Sequence, residues 1–224
     1  MREIILDTET TGLDHKRGDR IIEVACVELI NHVSTNNNLQ FYCSTTKKIS
    51  EEAAKVHGLS NNFLDQFPSF AKQSQKLLDF IKNDKLIIHN ADFDLGFINN
   101  ELRLCGIGSL KNEFIDTVSL ARKTLNTRIA NLDYLCRKFS IDLSSRKLHG
   151  ALLDCQLLSE VYIELLGGRQ TSLELSKPKK HKEIEIEKTN NNKLYTIEIT
   201  NEEINKHKKF SETLKNPIWK KIDY

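Results

Sequence analysis

Short apolar runs alternate with helix-like segments through residues 3–166, and this alternation limits the fold more than any other feature. Residues 3–8 and 85–89 are short and rich in β-branched side chains, so we predict buried strands there. Residues 20–30 and 39–43 extend the sheet, with a turn at the asparagine-rich segment 34–38. Strand-like runs that alternate with helical ones are typical of an α/β domain. The remaining predicted elements are a strand at 113–116 and helices at 51–56, 70–82, 93–105, 131–139 and 151–166.

The charge and the cysteine content exclude several classes of protein. The 33 Lys and Arg residues against 31 Asp and Glu residues give a net charge of +2, which excludes a protein held on nucleic acid by bulk charge alone. No apolar run approaches the ~20 residues that a membrane-spanning helix needs, so we expect no membrane partner. Five widely spaced cysteines without a Cys-x-x-Cys pair favour a reducing compartment, and we expect a cytoplasmic protein.

The composition changes after Gly168. Residues 169–182 are polar and basic, and we predict a linker there. In residues 183–224 the polar–apolar alternation at 183–187 and 194–200 predicts a hairpin, and Asn201 is a candidate cap for a helix that ends near residue 215. A segment this small buries little surface by itself, so we expect a partner to order it.

Acidic residues stand at three predicted buried elements. Asp7 and Glu9 end the first strand, and because alternate strand residues share a face, both carboxylates point the same way. Asp154 lies in the first turns of the most apolar helix, where a buried carboxylate needs a cation, hydrogen-bond donors or protonation. Asp92 and Asp94 open another helix, and spacing alone does not choose between them. Taken singly, each group is also explained as a polar strand end or a helix cap.

If these acids converge, they repel one another, and divalent cations make such a cluster tolerable at neutral pH. Oxygen ligands select Mg²⁺ or Mn²⁺ rather than zinc. Two such ions about 3.5–4 Å apart are the usual arrangement for attack on a phosphodiester. A neutral histidine beside the attacking water can take its proton, and His149 lies just before the helix that carries Asp154.

Three sequence motifs resemble those of a known enzyme family. LDTETTGLD at 6–14, HNADFD at 89–94 and LHGALLD at 148–154 resemble the exonuclease motifs of the DEDD superfamily, in the subgroup with His at the position of His149. The match is closest to the proofreading epsilon subunits of bacterial DNA polymerase III. The resemblance implies a ribonuclease H-like exonuclease fold over residues 1–168, with a mixed central sheet flanked by helices and a small C-terminal tail.

The same resemblance implies a role for each site residue. It makes His149 the general base, and it selects Asp94 over Asp92 as the fourth carboxylate. Residues 51–58 resemble the family's stretch that lines the terminal nucleotide, which gives Glu52 and His57 substrate contacts, although Glu51 stands where the family often has proline. The implied ligands of two Mg²⁺ or Mn²⁺ ions are Asp7, Glu9, Asp94 and Asp154, of which Asp7, Glu9 and Asp154 also contact the substrate.

The tail resembles segments that bind partners. Residues 170–175 look like the short motif by which bacterial proteins dock on the sliding clamp, with Gln170 fixing the register and Leu173 and Leu175 entering an apolar pocket. Residues 183–224 resemble the segment that holds the catalytic (alpha) subunit of the polymerase, and the lone Trp219 is a candidate contact there.

The implied function is removal of mispaired 3′-terminal nucleotides from DNA by the replicative polymerase's exonuclease. Two alternatives stay open. An RNA-processing 3′–5′ exonuclease of the same superfamily shares the core motifs, although such enzymes usually end after the last helix of the domain. A non-catalytic replisome linker is the other alternative, and the intact set of acids with His149 argues against it.

Overall fold

The computed structural model describes residues 1–144, 146, 148–168 and 199–215. Internal contacts divide the chain into two units, Met1–Leu173 and Glu174–Tyr224. Within the described residues of the first unit, five strands form one sheet in the order β3-β2-β1-β4-β5. The strands are β1 (Arg2–Thr10), β2 (Ile21–Ile30), β3 (Val33–Tyr42), β4 (Lys85–Ile88) and β5 (Phe114–Asp116).

The central strand β1 is antiparallel to β2 and parallel to β4. Strand β3 pairs antiparallel with β2, and β5 pairs parallel with β4. The sheet is therefore mixed, as predicted. Because β1 and β4 run in the same direction, their carboxyl ends lie at the same edge of the sheet.

Helices cover both faces of this sheet. They are α1 (Glu51–His57), α2 (Asn61–Leu64), α3 (Phe70–Ile81), α4 (Ala91–Leu104), α5 (Thr117–Leu125), α6 (Leu132–Lys138) and α7 (Ala151–Leu165). A short 3-10 turn, His15–Arg17, follows β1. The sequence did not predict α2 or α5.

The core has two halves, one on each face of the sheet. Ile5 faces the cluster formed with α5, α6 and α7, while Ile4 and Leu6 face the cluster formed with α3 and α4. All three side chains are fully buried, and burial of one such side chain contributes about 1.5–3 kcal/mol. The alternation along β1 thus fixes which face each later residue of the strand occupies.

The predicted turn at residues 34–38 was wrong. Strands β2 and β3 are joined at Asn31 and His32, whose φ angles of 51° and 64° form a tight two-residue connection. The asparagine-rich segment lies within β3 instead, where Asn36 has a φ of 61° and the pairing with β2 shifts register between Val27 and Leu29. A local irregularity in an edge strand therefore accommodates residues that usually favour turns.

In the second unit the described residues form one helix, α8 (Asn201–Thr213). Its cap is Thr200, whose hydroxyl accepts from the Glu203 backbone while the Glu203 carboxylate accepts from the Thr200 backbone. The predicted helix is thus confirmed, with its cap one residue earlier than expected. The predicted linker and hairpin fall outside the described residues, apart from Ile199 and Thr200, which are not in a strand. None of the helices that the structure describes has the length and apolar content to span a bilayer.

Candidate active site

The carboxyl end of β1 carries the first two acidic residues. Asp7 and Glu9 are half-buried and lie on the face of β1 that packs against α7. Thr8 between them points to the other face, where its Oγ1 donates a hydrogen bond of 2.7 Å to Oδ1 of Asp94. Strand β1 therefore presents acids on one face and anchors a third acid on the other.

Asp94 reaches this edge because α4 begins directly after β4. The chain turns at Asn90, whose φ of 69° is left-handed and whose backbone N–H donates to Oδ1 of Asp116 at 3.0 Å. Asp94 is then in the first turn of α4 and is 2% exposed, whereas Asp92 is exposed to solvent. The parallel pairing of β1 and β4 brings this helix start beside the end of β1.

Helix α7 supplies the acid on the other side. Asp154 is in its first turn, 6% exposed, and the helix packs on β1 and β2. His149 precedes the helix, and its backbone N–H donates to the Val56 carbonyl at 3.0 Å, which ties this loop to α1. Nδ1 of His149 lies 3.3 Å from Oδ2 of Asp154.

The described residues contain one group whose ligand atoms could share a metal ion. Atoms of Glu9, His149 and Asp154 all lie within 4.8 Å of one another. Asp7 and Asp94 fall outside this group but remain electrostatically close, since the charges of Asp94, Glu9 and Asp154 act on Asp7.

These acids carry more negative charge than their surroundings offset. Burial raises the pKa of Glu9 to about 8, and the nearby charges of Glu23, Asp154 and Asp94 add to the effect. Burial also raises the pKa of Asp7 well above its usual value and raises that of Asp94, although hydrogen bonds from Thr8 oppose the shift of Asp94. An oxygen-rich, under-neutralised cluster of this kind fits a hard divalent cation such as Mg²⁺ or Mn²⁺.

A cation that the sequence analysis missed, Arg146, already contacts Asp154. Its Nε and Nη2 donate to Oδ1 and Oδ2 of Asp154 at 2.7 and 2.6 Å, and its Nη1 contacts Oδ1 of Asp133. Nη2 also lies 2.9 Å from Nδ1 of His149, the same ring nitrogen that lies 3.3 Å from Oδ2 of Asp154. Burial alone would raise the pKa of Asp154, but the hydrogen bonds from Arg146 and then His149 hold it below its usual value.

Arg146 was missed because it lies in a loop without periodicity. In the sequence it reads as one of two basic residues after two serines, which is an ordinary surface pattern. Its side chain is only 6% exposed. The signal that was available is its position three residues before His149 and eight before Asp154, close enough in the chain for a long side chain to reach both.

A cavity of about 610 Å³ opens on one side of the cluster. Glu9, Glu52 and His57 line it, together with Leu13 and Phe93. His57 is buried, its Nδ1 accepts from the Leu59 backbone at 3.0 Å, and its Nε2 has no hydrogen-bond partner among the described residues. Burial lowers the pKa of His57, which keeps the imidazole neutral. The structure thus places both predicted nucleotide-contacting residues, Glu52 and His57, in one cavity beside Glu9.

A second cavity, of about 370 Å³, opens on the other side. Asp7, Asp154, His149 and Arg146 line it, together with His89, whose Nδ1 lies 2.9 Å from Oγ1 of Thr117. The carboxylates therefore lie between two cavities rather than at the base of one.

The first prediction concerns pH and metal ions. Because the folded-state pKa of Glu9 is raised from 4.5 to about 8, the metal-free protein should lose stability as pH rises through that interval. In chelator, the melting temperature should fall between about pH 5 and pH 8, and millimolar Mg²⁺ should restore it by binding only the folded cluster. Glu9→Gln should flatten the fall, while Glu160→Gln, at an exposed position on α7, should leave it unchanged. Equal pH slopes for wild type and Glu9→Gln would contradict the electrostatic account.

The second prediction concerns Arg146. Arg146→Ala leaves Asp154 buried without its cation, so in chelator the free energy of unfolding should fall by about 3–5 kcal/mol. Arg146→Lys should lose less, because it keeps the charge but not the two-pronged geometry. Urea denaturation measures both, with Arg122→Ala on α5 as an exposed control. Mg²⁺ should stabilise Arg146→Ala more than it stabilises wild type. If Arg146→Ala has the same urea unfolding midpoint as wild type, this account of Asp154 is wrong.

Comparison with known proteins identifies the family. Residues 4–162 match the family described as Exonuclease (RNase_T). The DNA polymerase III subunit epsilon of Rickettsia conorii is 43% identical over 218 residues, which cover 94% of this chain and 95% of the relative. The Escherichia coli protein of the same name is 42% identical over 180 residues, covering 77% of this chain and 74% of the relative.

Solved structures show the same fold. The nuclease domain of 3′hExo, described as a DEDDh family member bound to rAMP, has a TM-score of 0.65 and 18% identity over 74% of this chain and 91% of that one. Exonuclease X in complex with 5′ overhanging duplex DNA has a TM-score of 0.58 and 23% identity over 73% and 90%. The predicted fold and family are both confirmed: the chain belongs to the exonuclease family, and within it to the epsilon subunits of DNA polymerase III.

Proposed function

We propose that this chain is the proofreading 3′–5′ exonuclease of a replicative DNA polymerase, acting in the cytoplasm. The observation that supports it most is the position of the acids and His149 between two cavities, in a chain similar to epsilon subunits along most of its length. The reaction is hydrolysis of the last phosphodiester of a DNA strand, which releases a nucleoside monophosphate.

Four carboxylates hold the metal ions in this proposal: Asp7, Glu9, Asp94 and Asp154. Carboxylate oxygens of Glu9 and Asp154 lie within 4.8 Å of each other, and the raised pKa values of Asp7 and Glu9 indicate that the cluster can accept further positive charge. Two bound Mg²⁺ or Mn²⁺ ions supply neutralisation of the phosphate charge and a lower pKa for the attacking water.

His149 acts as the general base. Its side chain is 46% exposed, so it can reach a water at the mouth of the site while Asp154 stays buried behind it. The contact between its backbone and Val56 holds the loop in place. A neutral imidazole there takes the proton of the attacking water.

The cavity beside Glu9 takes the terminal nucleotide. Glu52 accepts from the 3′-hydroxyl, and the unpartnered Nε2 of the neutral His57 is available to a polar group of the same nucleotide. Leu13 and Phe93 offer apolar surface for its sugar and base. This lining carries little base-specific readout, so selectivity arises because a mispaired end costs less to unpair.

The third prediction tests this activity. Asp7→Ala should abolish Mg²⁺-dependent release of the 3′ nucleotide from a mispaired DNA end, and His149→Ala should slow it by about 10²- to 10⁴-fold. Asp7→Ala should not lower the melting temperature in chelator, because it removes a carboxylate whose pKa burial raises. Exposed Asp79→Ala on α3 is the control.

Two results would redirect the proposal. Faster digestion of short RNA than of mispaired DNA would favour an RNA-processing exonuclease of the same family. No nucleotide release in Mg²⁺ or Mn²⁺ beyond that seen in chelator would favour a non-catalytic replisome linker.

We propose that the tail holds the exonuclease at the replicating polymerase. Gln170, Leu173 and Leu175 would dock on the sliding clamp, and residues 183–224 would bind the catalytic (alpha) subunit of the polymerase. The clamp motif lies outside the described residues. In the second unit, Phe210 of α8 is 63% exposed and Leu214 is 40% exposed, which leaves apolar surface available to a partner.

The fourth prediction separates the two contacts. Deletion of residues 183–224 should abolish pull-down of the polymerase catalytic subunit and leave clamp binding intact. Gln170→Ala with Leu173→Ala should do the reverse, so each variant is the control for the other. Undiminished binding of the catalytic subunit after the deletion would refute its assignment to this segment.

A further inference from the structure

The second cavity has no role in the proposed function so far. It is lined by Asp7, Asp154, His149 and Arg146, and it shares no lining residue with the cavity beside Glu9 that is proposed to take the terminal nucleotide. The phosphodiester that is cut joins the terminal nucleotide to the rest of the strand. With the nucleotide in the cavity beside Glu9, the second cavity, which Asp7 and Asp154 border, gives the retained strand a path away from the acids.

The second cavity continues over α6 into a third, of about 550 Å³. Asn131 and Arg137 line both cavities, so the two lie next to each other. Asn131 caps α6 by accepting from the Tyr134 backbone at 2.8 Å, which fixes the start of the helix at the junction. The third cavity is completed by Ile129, Tyr134 and Lys138.

Three of these residues share one face of α6. Arg137 and Lys138 follow Tyr134 by three and four positions, which places each of them beside Tyr134 on the helix surface. The opposite face, with Leu132, Leu135 and Cys136, is buried in the core, and the half-buried Tyr134 packs against the border of that core. We call the group Tyr134, Arg137 and Lys138 the α6 face.

The charges of the α6 face are available to a ligand. Arg137 is 69% exposed. Its Nε donates to the Asp133 backbone carbonyl at 3.1 Å, and its Nη2 lies 3.6 Å from Oδ2 of Asp133, a loose pair in solvent that leaves Nη1 without a partner among the described residues. Asp133 is also the residue that Arg146 contacts, so its single charge is shared between two guanidinium groups. Lys138 is exposed and makes no ion pair among the described residues.

This combination matches the chemistry of single-stranded nucleic acid. Cations that follow the phosphates and an aromatic ring on which a base can stack are what such sites provide without sequence preference. A protein partner with acidic groups would fit the charges equally, but it would not explain why the face continues into the cavity that holds Asp154 and His149.

Resting on the proposed function, we propose that the α6 face binds the single-stranded DNA segment just upstream of the nucleotide that is removed. Arg137 and Lys138 neutralise its phosphates, and Tyr134 stacks against a base. The face binds the substrate without touching the reacting atoms, so it sets the affinity for a strand and not the rate of the chemical step.

The test compares substrates with and without an upstream strand. A single-stranded DNA oligonucleotide has one; thymidine 5′-(p-nitrophenyl phosphate) has a nucleotide and a scissile phosphate but no upstream residues. For Arg137→Ala with Lys138→Ala, KM for the oligonucleotide should rise by about 10-fold with kcat little changed. The dependence of log(kcat/KM) on log salt should become shallower by about 1.4, because two phosphates are no longer neutralised by the protein. Tyr134→Ala should raise KM without changing the salt dependence.

The matched control removes two charges elsewhere. Lys72 and Lys76 are exposed on α3, which packs on the other face of the sheet, so Lys72→Ala with Lys76→Ala should leave the oligonucleotide KM unchanged. Arg137→Lys with Lys138→Arg should keep most of the affinity. An equal rise in KM for the nitrophenyl ester, or an equal loss in the α3 control, would overturn the proposal.

A binding measurement keeps this proposal separate from the proposed function. Fluorescence anisotropy with a 5′-labelled oligonucleotide in Ca²⁺ reports affinity whether or not the protein cuts. The α6 double variant should bind about 10-fold more weakly than wild type. Equal binding would refute the α6 face even in an active enzyme, while failure of wild type to hydrolyse the ester would refute the proposed function alone.

Discussion

The structure depends on the cost of bringing four carboxylates together at one edge of a sheet. Asp94 and Asp154 are 2% and 6% exposed, and burial combined with mutual repulsion raises the pKa of Asp7 and of Glu9. Without metal the protein has two ways to lower this cost. It can hold protons on acids whose pKa approaches neutrality, or it can supply a cation from its own chain, as Arg146 does for Asp154. Protons on the acids and the guanidinium of Arg146 each supply positive charge that a bound divalent ion would otherwise supply.

The sheet makes this concentration of charge tolerable. Ile4, Ile5 and Leu6 are fully buried directly before Asp7, and each face of β1 has its own apolar cluster. The parallel pairing of β1 with β4 and the packing of α7 across β1 then bring three rigid elements to one point. The acids are held by backbone geometry that the core stabilises, so repulsion among them shifts their protonation and does not spread them apart.

The positions of the acids could be predicted from the sequence where they depend on the pattern of a single strand or helix. The alternation in β1 places Asp7 and Glu9 on one face, and the apolar length of the last helix shows that Asp154 is buried. What could not be predicted depends on contacts between segments. Arg146 is in a loop, and its closeness in sequence to His149 and Asp154 does not by itself show that its side chain turns inward to contact Asp154 and Asp133. The turn was misplaced for a similar reason: propensity favoured the asparagines, but strand pairing placed the connection at Asn31 and His32.

Arg146 also links the chemistry to the surface where the strand would leave. Asp133 contacts Arg146 on its buried side and Arg137 on its exposed side. The same carboxylate thus joins the buried arginine of the candidate site to the exposed arginine of the α6 face, so the two lie on one continuous chain of ion pairs from Asp154 to solvent.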